Sequence, residues 1–206
     1  DMIEFNVLEI TNEDKQRGLM YSQQRERKKS EYSSSNLEDF LKNMDLKITI
    51  QKANNFTIPR ISQLILKTNQ FNLTTKRYSL EDIQKISQNN NMLIGCVQVE
   101  DKFGDNGITA VFIVEKNGTK EWILDTFLLS CRVMGRQIEK SIISYIIKIA
   151  KQNGVDRIIA TFIPTKKNQS IEKFLPDCGF KKEKNFWLIS INESFKEPNF
   201  IKVEEK

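Results

Sequence analysis

The chain has 206 residues, of which 39% are hydrophobic and 29% charged, a composition that fits one large domain, or one ordinary domain with an appendage. No apolar run reaches the roughly 18 residues that a membrane-spanning helix needs, and the first residues lack the basic start and apolar stretch of a signal peptide. We therefore expect a cytoplasmic protein that does not contact a membrane, and the opening on Asp1 suggests one part of a longer polypeptide.

The chain contains three cysteines and no histidine. Cys96, Cys131 and Cys178 are widely spaced, which fits free thiols in a reducing compartment better than a disulfide framework. Without histidine, Ser-His-Asp or Cys-His catalysis and His-containing zinc sites are excluded, and we expect no metal site. Any general base must be Asp, Glu, Lys, Tyr, Cys or a water molecule.

The net charge of +5 is spread along the chain. The densest basic cluster, residues 25–29, contains Glu26, and this pattern favours a solvated helix face. The alternative is a surface that docks an acidic protein partner. No aromatic-plus-basic pattern typical of nucleic-acid binding is present, so we expect no nucleic-acid partner.

The first half of the chain predicts several helices before the main sheet. Asn36 can cap a short helix, Pro59 falls in the first turn of another, and Ser79 with Asp82 resembles a capping box. In order, the pattern predicts a strand at 1–10, a polar helix at 11–32, a helix at 37–44, a strand at 46–51 and two helices beginning at Ile58 and Leu80. We take residues 1–45 as a helical lead segment and 46–206 as the main domain.

The second half predicts most of the sheet. Asn117-Gly118 marks a hairpin. The predicted elements are strands at 92–100, 107–115 and 121–130, a helix at 135–153, a strand at 157–162, a helix at 168–174, a strand at 186–191 and a frayed charged tail from Asn192. This order predicts an α+β fold with a mixed, mostly antiparallel sheet flanked by helices.

The junction between the strand ending at Ser130 and the following helix predicts a phosphate-binding loop. Backbone amides at a helix N-terminus bind anions through their unpaired N–H groups and the helix dipole. Gly135 allows close backbone approach, and Arg132 and Arg136 add positive charge. The alternative is an ordinary strand-to-helix turn.

This loop resembles the Gln/Arg-x-x-Gly-x-Gly/Ala loop of the GNAT (Gcn5-related N-acetyltransferase) superfamily, which cradles the pyrophosphate of coenzyme A. It matches at Arg132 and Gly135 and departs at Gln137. The segment from Asn168 to Phe180 resembles a second superfamily motif, Asn-x6-Phe-Tyr-x3-Gly-Phe, with Leu175 in place of a general-acid tyrosine. The resemblance implies a GNAT-like fold in which coenzyme A or acetyl-CoA contacts Leu129, Cys131, Arg132, Val133, Met134, Gly135, Arg136, Gln137 and Asn168.

Longer segments, including Arg60-Ile-Ser-Gln-Leu64, residues 67–75 and residues 125–136, are similar to the C-terminal half of FkbH-like proteins. In that family a HAD-type phosphatase domain precedes a GNAT-like domain, and the pair loads a glyceryl group from 1,3-bisphosphoglycerate onto an acyl carrier protein. The resemblance implies an acyltransferase that handles a thioester on phosphopantetheine, with an acyl carrier protein and a HAD-type domain as partners. No Asp-x-Asp follows an apolar strand, so phosphatase chemistry is not assigned to this chain.

Cys131 is the candidate acyl acceptor, because the adjacent Arg132 and the following helix N-terminus favour a thiolate. The alternative is a small core cysteine. Asp125 and Asp105 are candidate catalytic carboxylates, although Asp105 also fits a turn and Asp125 needs a partner if buried. The acyl side of the cleft is predicted at Lys67, Asn69 and Gln70, which otherwise form a polar helix exit.

Two other functions fit the sequence. One is an acetyl-CoA-dependent N-acetyltransferase of GNAT type. The other is a non-catalytic module that docks a carrier protein.

Overall fold

The computed structural model describes residues 12–118, 120–193 and 196–206. The helices are α1 (Asn12–Ser33), α2 (Leu37–Lys42), α3 (Ile58–Lys67), α4 (Leu80–Gln88), α5 (Ile138–Gln152) and α6 (Phe174–Asp177), with 3₁₀ turns at Cys131–Val133 and Gln169–Ile171. The strands are β1 (Lys47–Lys52), β2 (Met92–Asp101), β3 (Gly104–Asn117), β4 (Glu121–Leu129), β5 (Arg157–Ala160), β6 (Lys181–Lys182), β7 (Trp187–Ser190) and β8 (Lys202–Glu205).

The eight strands form one mixed sheet in the order β6-β7-β5-β4-β3-β2-β1-β8. The β4–β5 and β1–β8 pairs are parallel, and the other neighbours are antiparallel. A large core cluster includes residues of the sheet, α2 and α5, and a smaller one includes residues of the sheet, α3 and α4. The predicted α+β architecture, an open mixed sheet flanked by helices, is confirmed.

Local sequence signals explain where the helices begin. Asn36 caps α2 by accepting a hydrogen bond from the Asp39 amide at 2.9 Å. At α4, Ser79 and Asp82 form the predicted capping box. Pro59 lies in the first turn of α3, whose Ile61 and Ile65 are fully buried, so this helix packs by one apolar stripe.

Three predictions of local structure were wrong. The tail forms β8 instead of fraying, because Ile201 is buried, Phe200 packs on the core, and the Lys202 amide donates to the Leu46 carbonyl. The helix predicted at 168–174 is a 3₁₀ turn followed by the short α6. The loop predicted before residue 107 is mostly strand, since β3 begins at Gly104. The strand predicted at residues 1–10 lies outside the described residues.

The strands β4 and β5 diverge, and a preceding segment fills the gap between them. They pair only where Glu121–Leu124 faces Arg157–Ala160. Beyond that point the Leu73 amide donates to the Phe127 carbonyl at 3.1 Å, and the Ile163 amide donates to the Leu73 carbonyl at 2.9 Å. We call residues 68–78, which contain this segment, the strap.

Candidate functional site around Cys131

Cys131 lies at the surface, at the C-terminal end of β4. The Ser130 amide donates to the Thr109 carbonyl at 2.7 Å, which fixes the end of the strand against β3. The 3₁₀ turn that follows buries Val133 and leaves Cys131 exposed. The alternative interpretation of Cys131 as a buried core cysteine is therefore wrong, whereas Cys96 and Cys178 are buried.

A cleft of about 420 Å³ lies between α3, the start of the strap and the end of β4; we call it the polar cleft. Cys131 and the predicted acyl-side residues Lys67, Asn69 and Gln70 all line it, although they are more than 60 positions apart in sequence. The complete lining comprises Arg60, Gln63, Leu64, Lys67, Thr68, Asn69, Gln70, Leu129, Ser130, Cys131 and Arg132. Among the described residues, this lining includes cations and amides but no carboxylate.

The charges of the polar cleft favour an anionic ligand. Burial lowers the pKa of Arg60 below its ordinary value, and the positive charge of Arg132 lowers it further. Arg60 donates from Nε to the Ile108 carbonyl at 3.3 Å and bonds Gln63, so it is held in place by neutral partners. Two guanidinium groups that repel each other at one cleft gain stability when an anion binds between them.

A second cavity, of about 480 Å³, adjoins Cys131; we call it the α1 cavity. It shares Cys131 and Arg132 with the polar cleft, and its remaining lining residues are Tyr21, Gln23, Gln24, Arg27, Asp105 and Asn106. The predicted catalytic carboxylate Asp105 is exposed in this cavity. It accepts hydrogen bonds from the Gly107 amide at 2.6 Å and from Gln98 Nε2 at 2.9 Å. Asp105 therefore stabilises the turn as well as lining the cavity.

Arg136, predicted to add charge to a phosphate loop, forms a buried ion pair. Its Nη1 donates to Asp101 Oδ2 at 2.9 Å, and its Nη2 donates to the Arg132 carbonyl at 2.8 Å. Burial lowers the pKa of Arg136 to about 10, against the opposing effect of Asp101. Arg136 therefore anchors the loop after Cys131 to β2, and its guanidinium is committed to these partners.

Asp125 and Asn168 hold the strap in place. Asp125 Oδ2 accepts from Tyr78 OH at 2.8 Å, and Oδ1 pairs with Lys76. Asn168 is fully buried and donates from Nδ2 to the Asn72 carbonyl at 2.9 Å and to the Ile163 carbonyl at 3.0 Å. Neither residue is among the described residues that line the two cavities at Cys131.

The first turn of α5 determines whether a coenzyme A diphosphate fits at the predicted loop. Gln137 is the N-cap, in the left-handed conformation at φ 59°, and its side chain makes no capping hydrogen bond. Glu139 places a carboxylate in this turn, and its buried Oε2 has no hydrogen-bond partner. Burial raises the pKa of Glu139. A carboxyl group at this position, with Arg136 committed to Asp101, leaves less positive charge at this turn for a bound diphosphate.

The remaining predicted cofactor residues fall into two groups. Leu129 and Val133 are fully buried and shape the turn. Met134 and Gly135 line a separate cavity of about 300 Å³ together with Glu139, Phe174 and Cys178. Gly135 has φ 79°, a backbone conformation that favours glycine, and a Cβ there would meet no atom within 4 Å.

No protein-family model matches the chain, and no curated protein matches it. Among solved structures it is similar to the GNAT domain of PAT from S. lividans, with a TM-score of 0.54 and 13% identity over 68% of this chain and 89% of that domain. The fold is that of the GNAT acetyltransferases.

Two other solved structures have the same GNAT fold. The ribosomal-protein-S18-alanine N-acetyltransferase of Escherichia coli matches with a TM-score of 0.55 and 11% identity, covering 73% of this chain and 98% of that one. A Mycobacterium tuberculosis protein in complex with CoA matches with a TM-score of 0.51 and 13% identity, covering 66% and 72% of the two chains. At these identities the likeness shows the fold alone.

Sequence reasoning missed two features of the site. Arg60, Gln63 and Lys67 line the polar cleft from one helix face, and their i, i+3, i+7 spacing could have revealed it. Arg27 was assigned to a solvated basic cluster but is buried against Asp101, and its neighbours in sequence give no signal of this contact. As far as the described residues reach, no helix is long and apolar enough to cross a membrane.

Proposed function

We propose that this GNAT fold transfers an acyl group through Cys131, from an anionic three-carbon acyl phosphate to the phosphopantetheine thiol of an acyl carrier protein. This is the FkbH-like activity that the sequence resemblance implies, with 1,3-bisphosphoglycerate as the donor. The observation that carries the proposal is the polar cleft, where the exposed Cys131 shares one lining with Lys67, Asn69 and Gln70.

The first step forms a thioester on Cys131. The thiolate attacks the carbonyl carbon of the acyl phosphate, the new S–C bond forms, and the C–O bond to phosphate breaks with the electron pair leaving on phosphate. Arg60, Lys67 and Arg132 supply positive charge for the phosphate groups. The side-chain amide of Gln70 is a hydrogen-bond donor available to the developing oxyanion.

The second step regenerates the enzyme thiolate. The phosphopantetheine thiolate attacks the thioester carbonyl, the new S–C bond forms, and the bond to Cys131 Sγ breaks with its electron pair on Cys131. The first step converts an acyl phosphate to a thioester and the second exchanges one thioester for another. Because both leaving groups are good, the steps need orientation and oxyanion stabilisation more than a strong base. This chemistry is compatible with a chain that contains no histidine.

Intact-mass spectrometry tests the proposal. After incubation with 1,3-bisphosphoglycerate we expect one phosphoglyceryl adduct that hydroxylamine removes, and we expect none in Cys131→Ala. Arg60→Gln and Lys67→Gln should slow adduct formation at least tenfold, whereas Lys85→Gln, an exposed lysine on α4, should not. An adduct that persists in Cys131→Ala rules out Cys131 as the acceptor, and the absence of any adduct rules out the reaction.

A second candidate is acetyl-CoA-dependent N-acetyl transfer. It is favoured by the solved structures of the same fold, which include acetyltransferases and a protein in complex with CoA. The carboxylate of Glu139 in the first turn of α5 and Leu175 at the position of the general-acid tyrosine count against it. Calorimetry with acetyl-CoA separates the two candidates, since binding at micromolar ligand would favour acetylation.

A further inference from the structure

The α1 cavity differs in chemistry from the polar cleft, with which it shares Cys131 and Arg132. Its lining contains three carboxamide side chains, Gln23, Gln24 and Asn106, and the ring of Tyr21. Arg27 is held in a buried ion pair to Asp101, and the lining also contains Arg132 and Asp105, which carry opposite charges. The volume of about 480 Å³ lies within the range of about 300–1,000 Å³ typical of small-molecule sites. Because three of its lining side chains are carboxamides, this cavity suits a ligand rich in amides.

Asn106 provides an unused acceptor at the cavity. The residue is 7% exposed, and its Nδ2 lies 3.4–3.5 Å from the Val99 carbonyl, the Gly104 carbonyl and Asp101 Oδ2. No hydrogen bond among the described residues uses its Oδ1. A carbonyl oxygen that none of these protein groups uses is available to accept a hydrogen bond from a ligand N–H.

The opposite wall is held at a fixed position. Gln23 of α1 packs so closely on Gly104 that a Cβ there would lie 2.1 Å from Gln23 Nε2. Arg27, one turn further along α1, donates to Asp101 at 2.7 and 2.9 Å. Because these contacts fix α1 against the β2–β3 hairpin, Gln24 and Asn106 face one cavity across a defined width.

We propose that the α1 cavity binds the amide-bearing arm of pantetheine, so that the arm's thiol reaches Cys131 from this cavity and not from the polar cleft. This inference rests on the proposed function and assigns its acceptor site. The arm carries two amides, which match the carboxamides of the lining, and it ends in the thiol that the transfer requires. Donor and acceptor then approach Cys131 from separate cavities, and neither has to leave before the other binds.

Disulfide exchange with pantethine, the disulfide of pantetheine, tests the site without any acyl donor. The Cys131 thiolate attacks one sulfur of pantethine, the mixed disulfide forms, the pantethine S–S bond breaks, and one pantetheine thiolate leaves and takes a proton from water. Bis(2-hydroxyethyl) disulfide, which has no amides, serves as the reference. We expect pantethine to react with Cys131 at least about tenfold faster than the reference, which corresponds to about 1.4 kcal/mol.

Matched variants locate the effect. Gln24→Leu and Asn106→Leu should reduce the pantethine advantage at least about threefold, whereas Gln84→Leu, an exposed glutamine on α4, should retain it. Gln24 is partly exposed and its substitution should leave folding intact, so the test does not depend on the buried Asn106. Equal rates for the two disulfides in the native chain, or an advantage that survives both substitutions, would overturn the assignment.

The outcome is independent of the acyl-transfer experiment. A missing acyl adduct would remove the proposed function while pantethine selectivity could still be measured. Conversely, an acyl adduct on Cys131 without pantethine selectivity would support the transfer reaction but would show that the acceptor arm does not bind in the α1 cavity. If Lys67→Gln, in the polar cleft, abolished the pantethine advantage, the arm would bind in that cleft and the assignment to the α1 cavity would be wrong.

Discussion

Arg27 and Arg136 share the carboxylate of Asp101, although they lie on α1 and on the loop after Cys131. Arg27 donates from Nε and Nη2 at 2.7 and 2.9 Å, and Arg136 donates from Nη1 at 2.9 Å. The Asp101 side chain is fully buried and also accepts from the amides of Phe103 and Gly104. One residue of β2 therefore positions both the wall of the α1 cavity and the turn that presents Cys131.

Removing the shared carboxylate should destabilise the fold more than removing either arginine. Asp101→Asn leaves two buried guanidinium groups without a counter-charge, and we expect a loss of about 3–5 kcal/mol in the free energy of unfolding. Arg27→Ala leaves Asp101 paired with Arg136, so a loss of about 1.5–3 kcal/mol is expected. Urea unfolding measures both. The control, Arg25→Ala on the exposed face of α1, should change stability by less than about 0.5 kcal/mol. A larger loss for Arg27→Ala than for Asp101→Asn would contradict this ranking.

Native thiol labelling should modify Cys131 alone. Burial raises the pKa of Cys96 to about 11 and raises that of Cys178 even more, and both side chains are inaccessible. One fast iodoacetamide adduct per chain is expected at pH 8, and three adducts in urea. Mass spectrometry of Cys131→Ala provides the control, which should show no fast adduct. Rapid labelling of Cys178 in the native state would contradict the packing around it.

Local patterns in the sequence predicted most elements but not the contacts between them. The capping box at Ser79 and the amphipathic face of α3 are encoded within a few residues, so periodicity and capping rules identify them. The pairing of β8 with β1 depends on Phe200 and Ile201 reaching a core more than 140 residues away, and the alternation of Ile201 and Val203 does not identify the partner strand.

In the candidate site, too, some features could be predicted from the sequence and others depend on contacts between distant segments. The placement of Cys131 beside Lys67, Asn69 and Gln70 was predicted from a resemblance that spans both segments, and the polar cleft brings these residues together. The roles of Asp125 and Asn168 depend on where the strap lies. Their partners, Tyr78 and Asn72, are 47 and 96 positions away in sequence, so spacing alone could not show that these two residues hold the strap.

Asn168→Ala should loosen the strap. The substitution leaves the carbonyls of Asn72 and Ile163 without their donor in a buried setting, and each unsatisfied group costs about 1–3 kcal/mol. We expect a loss of about 2–4 kcal/mol in urea unfolding and faster hydrogen exchange of the Leu73 amide. Asn90→Ala, at the exposed turn before β2, serves as the control. Unchanged exchange at Leu73 would contradict a clamping role.

Tyr78 should make stability fall at alkaline pH. Burial raises the pKa of Tyr78, and the hydrogen bond to Asp125 raises it further, so the neutral phenol is favoured in the folded state. The unfolded phenol ionises near pH 10, and above that pH the unfolded chain binds fewer protons than the folded chain. The contribution of Tyr78 is therefore complete below about pH 10 and is lost as the pH rises beyond it.

Tyr78→Phe removes this source of alkaline sensitivity. Because the variant lacks the hydrogen bond to Asp125, its free energy of unfolding at pH 7 should fall by about 0.5–1.5 kcal/mol. Its stability should decline less steeply above about pH 10. Urea unfolding between pH 8 and pH 11 measures the slope. Identical slopes for the variant and the native chain would show that Tyr78 ionises equally in the folded and unfolded states.

Glu139→Gln should stabilise the chain at neutral pH. Burial raises the pKa of Glu139, so the protonated form is favoured in the folded state. The contribution of this carboxyl group to folding stability is therefore largest below the unfolded pKa of about 4.3. That contribution is lost as the pH rises through the folded pKa. The stability gain from Glu139→Gln should therefore be larger at pH 7 than at pH 4. Glu172→Gln, an exposed glutamate, provides the control, and equal gains at both pH values would contradict the burial of this charge.

The same variant tests whether Glu139 weakens the binding of a diphosphate at the first turn of α5. If the Glu139 carboxylate repels an anion at this turn, Glu139→Gln should tighten coenzyme A binding, measured by calorimetry, while leaving binding of pantetheine, which has no diphosphate, unchanged. The contact of Arg136 with Asp101 should limit the gain, because that guanidinium remains committed. Tight coenzyme A binding by the native chain, unaltered in the variant, would show that the nucleotide binds without using this turn and would favour acetyl transfer over transfer to a carrier protein.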